Sequence, residues 1–84
     1  MGRPRKLESL GTRIKKLRKG ILLTQEQLAR KANMSYVSLV KLENDKVDNP
    51  SFQTIYKLSK VFDITLDDFV NGVMDDKILF RSED

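Results

Sequence analysis

Residues 24–45 read TQEQLARKANMSYVSLVKLEND and decide the fold of this 84-residue chain. Thr24 followed by Gln27 is the pattern of a capping box, in which a hydroxyl and an amide satisfy backbone donors at the start of a helix. A narrow stripe of apolar residues follows: Leu28, Ala29 and Ala32. The pattern predicts a short helix over about 24–32, and its small alanines allow another helix to approach closely.

A second short helix follows after a tight turn. Asn33 tolerates the left-handed conformation that a chain reversal requires. Ser35 is a residue type that caps helices, which predicts a helix over about 35–43. Two short helices joined by a turn of three or four residues form the helix-turn-helix geometry.

The second of these helices has one buried side and an unusual outer side. At 100° per residue, Leu39 and Leu42 define the buried side. The opposite side carries Val37, Val40, Lys41 and Asn44, and Tyr36 lies at the edge of the first turn. Lysine can donate to guanine and valine can contact a thymine methyl, so this face suits the major groove of DNA. The alternative is that the valines pack on a neighbouring helix or a protein partner, and periodicity alone leaves both open.

Three further helices are predicted around this pair. Apolar residues at helical spacing predict a first helix over about 7–19, ended by Gly20. Ser51 caps a fourth helix, and Thr65 begins a fifth over about 65–71. The residues predicted to form the core are Leu28, Ala29, Leu39, Leu42, Phe52, Ile55, Leu58 and Phe62.

Charge is distributed unevenly along the chain. Residues 1–20 hold eight Lys and Arg against one Glu, a net charge of +7, whereas residues 47–84 have a net charge of −4. Such polarity suggests that the N-terminal face meets a polyanion, although ordinary solvated helix faces are the alternative.

The composition excludes several classes of protein. No apolar run approaches the roughly 18–20 residues that span a bilayer, so a cytoplasmic protein is expected. The chain has no cysteine and no histidine and therefore lacks a disulfide, a thiolate metal site and the usual general base. The sequence predicts no enzyme activity, no metal site and no cofactor.

The stretch 24–45 resembles the helix-turn-helix of Cro/Xre-type phage repressors, whose pattern runs T-Q-x-x-L-A-x-x-x-G-V-S-x-x-x-I-S-x-I-E-x-G. The resemblance continues through NPSFQTIYKLSKVFDITLDDF (49–69) and covers about residues 7–70. It implies an all-α, compact five-helix, lambda-repressor-like helix-turn-helix domain over residues 7–71. A basic N-terminal arm at 1–6 and a C-terminal tail at 72–84 flank this domain.

The resemblance also implies roles for individual residues. Tyr36, Val37 and Lys41 occupy its base-contacting positions. Its DNA backbone-contacting positions are held by Gln25, Ser35, Asn44 and Lys46. Arg18 and Glu43 match a pair that forms a structural ion bridge in some members. The sequence departs from the pattern where Leu22, Asn33 and Asp45 stand in place of the usual glycine and where Met34 replaces the usual valine.

The implied function is a sequence-specific DNA-binding transcriptional regulator, a homodimeric repressor that reads a palindrome in double-stranded DNA. The predicted dimer contacts are Ile64, Leu66 and Val70, with Ile78–Phe80 in the tail as a further dimer or protein-partner contact. Arg3, Arg5 and Lys6 surround a proline and resemble an AT-hook arm that enters the minor groove, the alternative being a solvated terminus. On the same fold, an antitoxin or other partner-binding regulator and a restriction–modification controller are the alternative functions.

Overall fold

The computed structural model describes residues 8–47 and 50–70, which fold into five α-helices. In chain order they are α1 (Leu10–Gly20), α2 (Gln25–Lys31), α3 (Tyr36–Glu43), α4 (Phe52–Phe62) and α5 (Leu66–Val70). The predicted all-α fold class is therefore confirmed. No helix within these ranges has the length and apolar character to cross a bilayer. The predicted arm at 1–6 and tail at 72–84 lie outside the described residues.

A hydroxyl residue immediately precedes each of the five helices and caps it. Its side-chain oxygen accepts a hydrogen bond from the N–H group three residues further on, and the residues concerned are Ser9, Thr24, Ser35, Ser51 and Thr65. At Thr24 the Gln27 side chain also accepts from the Thr24 N–H at 2.9 Å, which confirms the predicted capping box. The predicted start of α1 near residue 7 is wrong, because Ser9 caps the helix from outside it.

The first four helices end in the same left-handed turn. One residue has φ near +60°, and the N–H of the next residue donates to the carbonyl five positions earlier, as in a Schellman motif. The left-handed residues are Leu22, Asn33, Asp45 and Asp63. The reversal predicted at Asn33 is confirmed. Leu22 is the unusual member, because this conformation costs a leucine about 1–2 kcal/mol and its 88% exposed side chain gains no burial in return.

The core lies where the five helices meet. Its buried residues are Leu10, Ile14, Leu28, Ala29, Ala32, Leu39, Leu42, Ile55, Leu58, Phe62 and Phe69. Seven of the eight predicted core residues are among them, and Phe52 is the exception. Phe52 is 37% exposed because it lies on the first turn of α4, where its ring stacks on Tyr56 with 6.0 Å between centroids.

Helix α1 approaches the end of α3 closely at Gly11. The Gly11 N–H donates to Asp45 Oδ1 at 2.9 Å. A Cβ on Gly11 would overlap the carbonyl oxygen of Glu43 and would lie 2.7 Å from its carbonyl carbon. Glycine is therefore required here, and it fixes the position of α3 against α1.

Candidate nucleic-acid interface

The outer side of α3 exposes the residues that the resemblance places at base-contacting positions. Tyr36 is 47% exposed, Val37 is 59% exposed and Lys41 is exposed as well. On the other side of the helix, Leu39 and Leu42 are 0% and 3% exposed and belong to the core. The buried side therefore holds α3 in place while the outer side meets solvent.

Polar residues lie at both ends of α3. The Ser35 hydroxyl accepts from the Ser38 N–H at 3.0 Å and donates to the Ser38 hydroxyl at 2.8 Å, and Ser35 is exposed. Asn44 is the exposed C-cap residue, and Lys46 is exposed two residues later. Val40, which the sequence places on the outer side, is half-buried.

Arg18 and Glu43 form a buried ion pair beneath this face. Arg18 Nε donates to Glu43 Oε2 at 2.8 Å, and Arg18 Nη2 donates to Glu43 Oε1 at 3.1 Å. The side chain of Glu43 is 0% exposed and that of Arg18 is 11% exposed. The ion bridge that the resemblance implies is therefore present and joins α1 to the last residue of α3.

Gln25 belongs to the same network, which sequence reasoning missed. Its Nε2 donates to Glu43 Oε1 at 2.9 Å. Gln25 is the first residue of α2, so one carboxylate holds α1, α2 and α3 together. Gln25 and Glu43 lie 18 positions apart, and no periodicity links two residues at that distance.

A groove of about 200 Å³ runs beside α3, and both polar and apolar side chains line it. Ser38 and Lys41 line it from α3, and Ser51 and Thr54 line it from the start of α4. The groove places a cationic amine and several hydroxyl groups next to the outer side of α3. Within residues 8–47 and 50–70, no three acidic side chains cluster in a way that could hold a metal ion.

The residues predicted to form the dimer contact are only partly accessible. Ile64 and Leu66 are half-buried and pack against the core, and Val70 is half-buried at the end of α5. The remaining predicted site residues, Arg3, Arg5, Lys6 and Ile78–Phe80, lie outside the described part of the chain.

A short helix held by its buried side after a tight turn, with its other side exposed, is the arrangement of a helix-turn-helix domain. The sequence matches the helix-turn-helix family over residues 14–69. The chain belongs to this family, and its resemblance to the Cro/Xre-type repressors is confirmed. The members it resembles are DNA-binding transcription regulators rather than enzymes.

Two relatives show how far the similarity extends. An uncharacterised HTH-type transcriptional regulator of Archaeoglobus fulgidus is 36% identical over 69 residues, which cover 82% of this chain and 94% of the relative. The immunity repressor protein of Bacillus phage phi105 is 36% identical over 75 residues. That match covers 89% of this chain and 49% of the repressor.

Solved structures share the fold. SinR of Bacillus subtilis in complex with DNA is 32% identical with a TM-score of 0.70, and the match covers 74% of this chain and 98% of that one. In its complex with SinI, SinR gives a TM-score of 0.71 at 32% identity, over 74% of this chain and 60% of that one. The restriction–modification controller C.AhdI of Aeromonas hydrophila is 28% identical with a TM-score of 0.67, over 71% and 89% of the two chains.

Proposed function

We propose that this DNA-binding regulator is a sequence-specific repressor that inserts α3 into the major groove. The observation that carries the proposal is the outer side of α3, where Tyr36, Val37 and Lys41 are exposed on a helix anchored by its other side. Similar proteins solved with DNA or named as repressors support this choice of partner.

Each exposed residue has a definite role in this proposal. Lys41 donates to O6 and N7 of a guanine, and Val37 contacts the methyl group of a thymine. Tyr36 contacts the base edges next to them. The backbone contacts come from Gln25, Ser35, Asn44 and Lys46, which set the position of the domain on DNA without reading its sequence.

We infer that two copies bind together. One recognition helix reads only a few base pairs, so a two-fold dimer on a palindrome provides the additional specificity. The proposed dimer contacts are Ile64, Leu66 and Val70. Each is half-buried, so part of its apolar side chain is accessible to a second copy. Arg3, Arg5 and Lys6 are proposed to follow the backbone into the adjacent minor groove.

Selection of bound sites from random double-stranded DNA tests this function. The full chain is expected to enrich an inverted repeat whose half-site centres lie about 34 Å apart, one turn of DNA. The complex on the enriched site should contain two copies of the chain when its mass is measured by light scattering. A pool without an enriched sequence, or a single chain bound to a non-repeated site, would contradict the proposal.

A second candidate is a regulator controlled by a protein partner, such as an antitoxin. The observation that favours it is the exposed aromatic pair Phe52 and Tyr56 on α4, which is apolar surface outside the proposed DNA face. The complex of the similar SinR with SinI is a precedent for a partner protein. Co-purification of a neighbouring gene's product with the chain separates this candidate from a repressor that acts alone. The identity of the neighbouring genes separates both from a restriction–modification controller.

A further inference from the structure

The carboxylate of Glu43 is hydrogen-bonded to Gln25, the residue of α2 that is proposed to contact DNA. Glu43 Oε1 accepts from Gln25 Nε2 at 2.9 Å as well as from Arg18 at 3.1 Å. The Glu43 side chain is fully buried, so water does not compete for these bonds. The position of the carboxylate is fixed by the two bonds from Arg18 and by the core around Leu42.

The bond to Glu43 restrains an otherwise flexible side chain. Glutamine has three rotatable bonds, and its amide nitrogen carries two N–H groups. Because the Gln25 amide donates one N–H to Glu43, its nitrogen is held in place and the second N–H is restricted to fewer directions. Gln25 is half-buried at the first residue of α2, so part of the side chain remains accessible.

We propose that Glu43 is a positioning residue for DNA binding, which holds the Gln25 amide in the orientation that donates to a phosphate oxygen of the DNA backbone. This inference rests on the proposed contact between Gln25 and DNA. Glu43 is also the last residue of α3, so the same carboxylate sets the distance between the backbone contact on α2 and the base contacts on α3. The buried ion pair thereby contributes to DNA affinity and not only to folding.

The physical reason is the entropy of ordering a side chain. A glutamine that is free to rotate loses that freedom when it binds a phosphate, and the loss reduces the affinity gained from the hydrogen bond. A glutamine already held by Glu43 has lost most of that freedom during folding. Gln25 should therefore contribute more to DNA affinity when the Glu43 carboxylate is present than when it is absent.

A double-mutant cycle on DNA affinity measures this coupling. The full chain is compared with Gln25→Ala, with the apolar pair Arg18→Met/Glu43→Leu, and with the triple variant, all on the DNA site selected by the wild type. Gln25→Ala is expected to weaken binding about tenfold in the wild type, as for loss of a hydrogen bond to a charged group. In the apolar-pair background the loss should be no more than about twofold. Equal losses in the two backgrounds would overturn the positioning role.

Lys41→Ala in both backgrounds is the matched control. Among the described residues, the side-chain hydrogen bonds of Glu43 come from Arg18 and Gln25 and not from Lys41, so the effect of Lys41→Ala on affinity should be the same with and without the ion pair. A normal Lys41 effect with equal Gln25 losses would reject the inference and leave the proposed function standing. If neither Lys41→Ala nor Gln25→Ala changes wild-type affinity, the proposed interface itself is wrong.

A second measurement uses the free wild-type chain and depends on neither the variants nor DNA. The NMR order parameter of the Gln25 side-chain amide is expected near that of rigid backbone, about 0.85, whereas that of the exposed Gln53 should fall below about 0.6. A Gln25 amide as mobile as that of Gln53 would overturn the positioning role even if DNA binding is confirmed.

Discussion

Replacement of Arg18 by methionine is expected to lower the free energy of unfolding by about 3–5 kcal/mol. The change leaves the Glu43 carboxylate fully buried with Gln25 as its remaining donor in the network. A buried charge without its partner is costly because the protein interior does not replace the water that would solvate it. A domain of this size has roughly 5–15 kcal/mol of stability in total, so the loss removes a large part of it. Urea denaturation followed by helical circular dichroism measures the change.

Two further variants identify the cause. Arg30→Met removes an exposed arginine from α2 and is expected to stay within about 0.5 kcal/mol of the wild type. Arg18→Met/Glu43→Leu removes both charges and should recover much of the stability lost in Arg18→Met. The recovery should be incomplete, because the Leu23 carbonyl loses its bond from Arg18 Nη1 at 3.0 Å. If Arg18→Met costs no more than Arg30→Met, the ion pair does not hold the three helices together.

Replacement of Gly11 by alanine is expected to lower the free energy of unfolding by about 2–3 kcal/mol. The added methyl group overlaps the carbonyl oxygen of Glu43 and lies 2.8 Å from Asp45 Oδ1. Backbone atoms at the end of α3 cannot move aside as a flexible side chain can, so α1 and α3 must separate. That separation also weakens the hydrogen bond from the Gly11 N–H to Asp45. Thermal and urea unfolding of the variant measure the loss.

Gly20→Ala is the matched control for Gly11→Ala. Both glycines lie in α1, but no atom would come within 4 Å of a Cβ on Gly20. Alanine has a helix propensity about 1 kcal/mol better than glycine, so Gly20→Ala should be neutral or stabilising. Similar effects at the two positions would show that α1 does not approach α3 as closely as the structure indicates.

The fold could be predicted from local patterns because its helix ends are encoded locally. The hydroxyl residue at a helix start and its N–H partner lie three positions apart, as at Thr24 and Gln27. The spacing of Leu39 and Leu42 likewise separates the inner and outer sides of α3 before any packing is known. Phe52 shows the limit of periodicity, because it has the spacing of a core residue but lies on the first turn of α4 and is 37% exposed.

The contacts that position the candidate site are not encoded locally. Gly11 and Asp45 are 34 positions apart, and Gln25 and Glu43 are 18 positions apart. A glycine inside a helix does not indicate which element approaches it, and a glutamine at a helix start does not indicate a buried partner. Asp63 lies between these two cases. Aspartate tolerates the left-handed conformation, so its position just after α4 is compatible with the turn there but does not by itself predict it.

The role of α3 as the recognition helix is tested most directly by the sequence specificity of Lys41→Ala. The variant, the wild type and Lys60→Ala are compared on the selected site and on its single-base-pair substitutions. Lys60 lies on α4 with its amine 5.6 Å from the centre of the Tyr56 ring, so its loss should leave specificity unchanged. Lys41→Ala is expected to lose about 1–3 kcal/mol of discrimination at one base pair of each half-site and to keep it elsewhere. Equal weakening on every sequence would contradict base reading by α3.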